Sequence, residues 1–289
     1  MLRYVIIMPY YEYYLIKMKV TAKHMNTVLT IAGSDCSGGA GIQADLKTIM
    51  AHGAYGMSVI TALTAQNTQG ILDVCEMEPD FIGAQLDAVF TDIFPKAVKI
   101  GMIPNVQAVR ILSEKLCAYQ AVNLVIDPVM GSTSGTALME KQAFLQAQEQ
   151  LYPLARLLTP NIPEAEALSS VPVTDRASMQ HAAEMISAKS GCAVLVKGGH
   201  LSGAADDLLY DSGQFYWFEQ AHIDNPNTHG TGCTLSAAIA CRLAEGLPVP
   251  DAAAKAKQYV TQAISAGLDL GHGSGPLNHG CGMRFFCAG

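Results

Sequence analysis

Short, uniformly apolar runs alternate with helix-length segments along most of this chain, and this alternation restricts the fold more than any other feature. The runs are too short for helices and are apolar on both faces, which predicts buried strands. They are residues 27–32, 58–65, 97–100, 124–126, 157–159 and 193–196. Such strands are typical of a parallel sheet that helices cover on both sides. We therefore predict one α/β domain, a three-layer α/β/α sandwich around a mostly parallel sheet.

The segments between the predicted strands have the apolar spacing of helices. The predicted helices are residues 43–52, 80–92, 106–119, 141–150, 163–168, 179–189, 234–245 and 251–268. Two further apolar runs, 206–210 and 214–219, flank the turn 211–213 and predict a hairpin at an antiparallel edge. No linker or internal repeat divides the chain.

Composition narrows the class of protein. The net charge is 18 − 25 = −7 without a basic stripe, which disfavours a nucleic-acid binder. No apolar run approaches the roughly 18 residues that a transmembrane helix needs. The eight cysteines form no Cys-x-x-Cys pair and no zinc-site spacing, so reduced thiols in a cytoplasmic protein are expected.

The two ends of the chain depart from the regular pattern. Residues 1–26 are expected to form a poorly ordered extension, 27–277 the domain itself, and 278–289 an atypical tail. A signal peptide is disfavoured because Pro9 and Glu12 interrupt the apolar stretch. Met18 or Met25 is an alternative start.

Ligands of such sheets bind beyond the carboxyl ends of the strands. Polar or glycine-rich segments follow five of the predicted strands, and a sixth precedes a helix. They are residues 33–41, 66–70, 127–135, 159–164, 197–200 and 228–236. This concentration favours a nucleotide or phosphate enzyme over a structural module.

The segment Asn-Thr-His-Gly-Thr-Gly-Cys at 227–233 runs directly into an apolar helix. Gly230 and Gly232 allow a tight turn, and the unpaired N–H groups of the helix start would bind a phosphate or an oxyanion. Cys233 would lie on the first helical turn, where the pKa of its thiol is expected to fall. The alternative is an ordinary glycine-containing cap with Cys233 as a small buried hydrophobe.

Four other side chains follow predicted strands. Asp127 and Glu164 are carboxylates that could hold Mg²⁺ through its waters, although a glutamate also stabilises a helix start by its charge alone. Lys197 could contact a phosphate or be a solvated strand end. Gln66 offers a donor and an acceptor that match the edge of an aminopyrimidine or pyridine ring, or it makes a turn hydrogen bond.

Taken together, eight sequence blocks resemble the hydroxymethylpyrimidine/phosphomethylpyrimidine kinases of thiamine biosynthesis, members of the ribokinase-like superfamily. In order, they are LTIAGSDCSGGAGIQADLKT, GAYGMSVITALTAQNTQG, KIGM, DPVM, LTPNIPEAEAL, VKGGHL, NTHGTGCTLSAAIA and GHGSGP. The resemblance covers residues 27–276. Each block is modest alone, but their order and spacing are specific.

The resemblance implies an ATP-dependent kinase that phosphorylates 4-amino-5-hydroxymethyl-2-methylpyrimidine and then its monophosphate to the diphosphate. It implies a pyrimidine pocket lined by Gly33, Asp45, Gln66, Met102 and Val129. Cytoplasmic location and a homodimer are expected because they are usual for relatives.

The resemblance also assigns roles around the phosphates. It implies that Asp127 and Glu164 are on the Mg²⁺ side and that Cys233 is the base that removes the substrate's hydroxyl proton. The remaining residues would bind ATP or form the anion loop; they are Asn161, Lys197, Thr228, Gly230, Thr231 and Gly232.

Pyridoxal kinase is the alternative within the same fold. Pyridoxal kinases with two cysteines carry the second one shortly after the Asp-Pro-Val-Met block, where this chain reads Gly-Ser-Thr-Ser at 131–134. A catalytically silent ligand-binding protein is the alternative outside enzymes. The presence of Asp127, Glu164, Lys197 and Cys233 argues against it.

Overall fold

A computed structural model describes residues 25–131, 135, 137–199, 206–220 and 223–281. Within these residues, the strands are β1 (Thr27–Asp35), β2 (Tyr55–Asn67), β3 (Gly70–Glu76), β4 (Ala97–Ile100), β5 (Leu124–Ile126), β6 (Leu157–Leu158), β7 (Ala193–Val196), β8 (Asp207–Asp211) and β9 (Gln214–Phe218). They form one sheet in the order β3-β2-β1-β4-β5-β6-β7-β8-β9. Six adjacent strands are parallel: β2, β1, β4, β5, β6 and β7. β3 pairs antiparallel at one edge, and the hairpin of β8 and β9 pairs antiparallel at the other.

The helices lie in two layers because successive strand residues point to opposite faces of the sheet. They are α1 (Gly41–Ala51), α2 (Pro79–Phe90), α3 (Val106–Ala118), α4 (Lys141–Gln150), α5 (Ile162–Ser169), α6 (Arg176–Ser190), α7 (Thr231–Ala244) and α8 (Val249–Ser265). Leu29 and Ile31 of β1 pack in the core with α2 to α6, whereas Val28 packs with α1, α7 and α8. The predicted three-layer sandwich is confirmed.

The first edge of the sheet differs from the prediction. β3 was not expected, and β2 extends beyond residues 58–65 at both ends. β3 has no apolar face to reveal it, since Leu72 is 78% exposed and its neighbour Asp73 is also exposed. It exists because it pairs antiparallel with the end of β2.

A buried ion pair joins the centre of the sheet to α1. Lys99 of β4 and Asp45 of α1 are both fully buried, and Lys99 Nζ lies 2.8 Å from Asp45 Oδ2. The Thr30 hydroxyl donates to the same oxygen at 2.6 Å. Burial alone would lower the pKa of Lys99, but the attraction of Asp45 and Asp127 raises it, so the lysine stays charged.

Lys99→Met is expected to cost about 3–5 kcal/mol of unfolding free energy because it leaves the Asp45 carboxylate buried without a counter-ion. Urea denaturation measures this loss. Lys99→Met combined with Asp45→Leu should recover most of it, since an apolar pair has no charge to desolvate. Lys115→Met, which breaks the partly exposed pair with Asp87, is the control and should cost far less, because water screens that pair. A Lys99→Met loss as small as that of the control would contradict the prediction.

Candidate active site

A cavity of about 600 Å³ opens at the carboxyl ends of the parallel strands, where the sequence predicts the site. All but one of the predicted site residues line it. Those residues are Gly33, Gln66, Met102, Asp127, Val129, Asn161, Glu164, Lys197, Thr228, Gly230, Thr231, Gly232 and Cys233.

Asp45 is the exception. The sequence resemblance places it in the pyrimidine pocket, but its side chain is fully buried behind the wall of the cavity. The charge of Lys99 on the neighbouring strand holds it there, because a buried ammonium group needs a carboxylate partner. In this structure Asp45 does not line the cavity, and its charge acts on Cys233 from behind the wall.

Asp127, Glu164 and Lys197 form a charged cluster on the floor of the cavity. Lys197 Nζ lies 2.6 Å from Asp127 Oδ1 and 3.9 Å from Glu164 Oε2. The Thr159 hydroxyl donates to Asp127 Oδ1 at 3.1 Å. The cluster forms because β5, β6 and β7 are adjacent and parallel, so the residues that follow them meet at one edge of the sheet.

Glu164 also completes the start of α5. Its backbone N–H donates to the Asn161 side chain, and its carboxylate accepts from the Asn161 N–H at 2.8 Å, which is a capping box. The predicted role at the helix start is therefore confirmed, and the carboxylate also lies at the cavity, where its role toward a metal stays a prediction. Burial raises the pKa of Glu164, and the charge of Asp127 raises it further, against the opposing effect of Lys197.

Helix α7 begins directly over this cluster. A Cβ at Gly232 would lie 3.3 Å from both Asp127 Oδ2 and Lys197 Nζ, so only glycine allows this approach without displacing the pair. Gly230 has φ +82° and caps the helix without a side chain. The first N–H groups of a helix have no intrahelical acceptor, so this helix start can bind an anion.

Cys233 differs from the sequence expectation. It lies on the first turn of α7 at the cavity wall, as predicted, but burial raises the pKa of its thiol. Asp45 and Asp127 raise the pKa too, while Lys99 and a hydrogen bond from the Gly41 backbone lower it. Desolvation therefore outweighs the lowering effects of Lys99 and the Gly41 N–H, and the thiol is neutral at pH 7 without ligands.

Three residues near the site were not singled out in the sequence: Lys99, Asp35 and His229. His229 Nε2 lies 2.9 Å from Asp35 Oδ2, which links the 227–232 loop to the glycine-rich turn at 33–41. Asp35 could have been found from its place at the end of a strand. Lys99 could have been found because it is a charged residue within an apolar run. His229 carried no local signal, because its partner is 194 residues away in sequence.

Residues 275–281 pack against the same loop. The His229 backbone N–H donates to Gly275 O at 3.2 Å, and the Gly275 N–H donates to Asn227 Oδ1 at 2.9 Å. His279 is buried, with Nε2 2.9 Å from the Thr234 hydroxyl on α7. Part of the predicted tail, 278–281, is therefore packed; 282–289 and the extension at 1–24 lie outside the described residues.

Comparison with known proteins identifies relatives over most of the chain. A family model described as phosphomethylpyrimidine kinase matches residues 35–278. The hydroxymethylpyrimidine/phosphomethylpyrimidine kinase of Streptomyces coelicolor is 46% identical over 88% of this chain and 94% of its own. The thiamine biosynthesis bifunctional protein ThiED of Geobacter sulfurreducens is 48% identical over 88% of this chain, which spans only 52% of that protein.

A solved structure has the same fold. The crystal structure of an ADP complex of Bacillus subtilis pyridoxal kinase superposes with a TM-score of 0.82 at 38% identity. The match covers 89% of this chain and 98% of that one.

Glu164→Gln is expected to raise the melting temperature by a few degrees at pH 8 and less at pH 5. The pKa of Glu164 is raised in the folded state, so the wild-type protein loses stability as the pH rises above the ordinary value of 4.5. Glutamine has no charge to bury and keeps an oxygen for the Asn161 N–H.

Calorimetry without nucleotide or metal measures the difference at each pH. Glu149→Gln, on the exposed surface of α4, is the matched control. A Glu164→Gln effect that is the same at pH 5 and pH 8 would show that the buried charge is not its cause.

Proposed function

Because the chain belongs to the phosphomethylpyrimidine kinase family, we propose that it transfers a phosphoryl group from ATP to 4-amino-5-hydroxymethyl-2-methylpyrimidine, and then a second to the monophosphate. Family membership confirms the resemblance identified in the sequence and the assignment as a phosphotransferase. The proposed products belong to thiamine biosynthesis, the pathway in which the Geobacter relative is named.

One observation carries the proposal: the cavity brings a buried lysine, two carboxylates, a free helix start and a thiol within one site. Phosphoryl transfer needs positioning and charge neutralisation more than covalent chemistry by the protein. Lys197 and the N–H groups at the start of α7 supply positive potential where the transferred phosphoryl group would lie. Asn161, Thr228 and Thr231 line the same cavity and are proposed to bind ATP.

The donor set at the cluster fits Mg²⁺. Asp127 and Glu164 bring two carboxylates together beside one lysine, and burial together with the charge of Asp127 raises the pKa of Glu164, so a cation beside it would be favourable. Mg²⁺ keeps several waters and uses one or two carboxylates together with substrate phosphates, so it does not need a closed cage of protein ligands. We propose that these two residues hold the ion through its waters, where it would neutralise phosphate charge.

The pyrimidine is proposed to lie against Gly33, Gln66, Met102 and Val129. A Cβ at Gly33 would lie 2.9 Å from Met102 Sδ, so glycine lets the strand end and the methionine meet without moving the methionine side chain. Together they offer an apolar slot for a flat ring, and Gln66 offers the donor and acceptor that read its edge.

Cys233 is proposed to remove the proton of the substrate's hydroxymethyl group. Cys233→Ser is expected to lower kcat by orders of magnitude and to leave ATP binding nearly unchanged, because serine keeps the size but is a far weaker acid. Since the thiol pKa is raised, wild-type kcat should increase as the pH rises above 7. Steady-state kinetics measures kcat and its pH dependence, and calorimetric titration with ATP measures ATP binding. Near-normal turnover of Cys233→Ser would exclude the thiol as the base.

The substrate is tested by comparing three acceptors under identical conditions: the hydroxymethylpyrimidine, its monophosphate and pyridoxal. We expect conversion of the monophosphate to the diphosphate and clearly slower phosphorylation of pyridoxal. The similarity to a pyridoxal kinase structure makes pyridoxal the relevant competitor. Faster turnover of pyridoxal would contradict the proposed substrate without affecting the fold assignment. No turnover of any of the three acceptors would favour a catalytically silent binding protein.

Location and assembly follow from the proposed pathway role. In the described part of the chain, no helix is both long enough and apolar enough to cross a membrane. We propose a cytoplasmic enzyme, and the homodimer stays a prediction based on what is usual for relatives.

A further inference from the structure

The carboxamide of Gln66 lies between two polar side chains on the cavity wall. With the amide in one of its two orientations, Nε2 is 3.1 Å from His229 Nε2 and Oε1 is 3.1 Å from the Thr64 hydroxyl. A half-turn of the amide exchanges its oxygen and nitrogen with almost no change in shape. The hydrogen-bonding partners therefore decide which orientation is stable.

Asp35 determines the proton on His229. Its two carboxylate oxygens accept hydrogen bonds from the backbone N–H groups of Ser37, Gly39 and Ala40 and from the Ser37 hydroxyl, at 2.7–3.1 Å. Burial would raise the pKa of Asp35, but the hydrogen bonds from His229, Ser37 and Ala40 outweigh it and lower the pKa, so the group is an ionised acceptor. The His229 Nε2 that lies 2.9 Å from Asp35 Oδ2 must then carry a hydrogen.

This hydrogen conflicts with a nitrogen of Gln66 on the same side, because two donors would face each other. The half-turn removes the conflict, since Oε1 of Gln66 can then share the Nε2 hydrogen of His229 with Asp35 Oδ2 in a three-centre hydrogen bond. The same half-turn places the NH₂ of Gln66 beside the Thr64 hydroxyl. The Thr64 hydroxyl donates its hydrogen to Ser34 O at 3.0 Å, so its lone pairs are available to accept from the Gln66 NH₂.

His229 itself has little freedom to move. A Cβ on Gly39 would lie 2.4 Å from His229 Cδ2, so the ring packs directly on the glycine-rich turn. Its backbone is held by Gly275, and its side chain is 11% exposed. The donor that it presents to Gln66 is therefore fixed in space.

We propose that His229 is a positioning residue that locks the Gln66 carboxamide with its oxygen toward His229 and its NH₂ toward Thr64. This lock selects the donor and acceptor pattern of the ring edge that the site accepts. The selection rests on the proposed function, in which Gln66 reads the substrate ring, whereas the locked orientation does not depend on it.

The lock has a chemical consequence. A 4-aminopyrimidine edge offers an amino donor beside a ring-nitrogen acceptor, and the 4-oxo analogue offers the reverse pattern. The ring cannot turn over to compensate, because its hydroxymethyl group has to face Cys233. A locked amide therefore discriminates between the two analogues, whereas a free amide can rotate to match either.

The kinetic test compares 4-amino and 4-oxo 5-hydroxymethyl-2-methylpyrimidine as acceptors. The wild type should favour the amino compound by roughly 10³-fold or more in kcat/KM. His229→Leu should reduce this ratio at least about tenfold, with KM for ATP changed less than about threefold, because only the amide lock is lost. His229→Gln keeps an N–H donor and should restore most of the ratio. His181→Leu, on the exposed face of α6, is the control.

The orientation is tested separately by nuclear magnetic resonance on the ligand-free wild type. The Gln66 NH₂ resonance is assigned by its absence in Gln66→Glu. We expect Overhauser contacts from this NH₂ to the Thr64 side chain and none to Hε1 of His229. Contacts to Hε1 of His229 would overturn the proposal whether or not the protein phosphorylates any pyrimidine, and would do so even if His229→Leu failed to fold.

The two arms separate the possible failures. If the wild type phosphorylates neither pyrimidine, the proposed function fails, and the resonance data alone decide the orientation of Gln66. If the wild type is active but His229→Leu keeps the full selectivity, the inference fails and the function stands. If KM for ATP in His229→Leu rises by as large a factor as the selectivity falls, the role of His229 is merely structural, and the inference also fails.

Discussion

Two lysines lie beneath the cavity, and the rest of the site depends on the carboxylates that neutralise them. Lys99 is fully buried against Asp45, and Lys197 is largely buried against Asp127. Moving such charges out of water is costly, so each lysine fixes the position of a carboxylate from another element of the fold. The result is a set of paired charges that is already in place before a phosphate arrives, which reduces reorganisation during transfer.

Much of this arrangement could be predicted from the sequence because parallel strands end at one edge of the sheet. That rule predicts that Gln66, Asp127, Glu164 and Lys197 lie close together, and the structure places all four on one cavity. Five of the six parallel strands could also be predicted, because β1, β4, β5, β6 and β7 are buried almost throughout and so leave short, mainly apolar runs. The predicted roles of these residues still await the kinetic tests.

What the sequence could not predict depends on long-range contacts. The edge strand β3 has no apolar face and exists through pairing with β2. The partners of Lys99 and His229 lie 54 and 194 residues away in sequence, so no local spacing links them. The thiol of Cys233 shows the same limit: its place on a helix start was visible, but the sign of its pKa shift depends on how deeply the surrounding chain buries it.

The packing of residues 275–281 against the 227–232 loop has a consequence for how the protein is made. Translation proceeds from the N-terminus, so the loop leaves the ribosome before the segment that holds His229 and α7 in place. All nine described strands have been synthesised by then. A nascent chain at that stage contains every described strand but not yet the segment that supports the 227–232 loop. The cavity wall is thus held by a segment that is made after the sheet, and no residue of that segment lines the cavity.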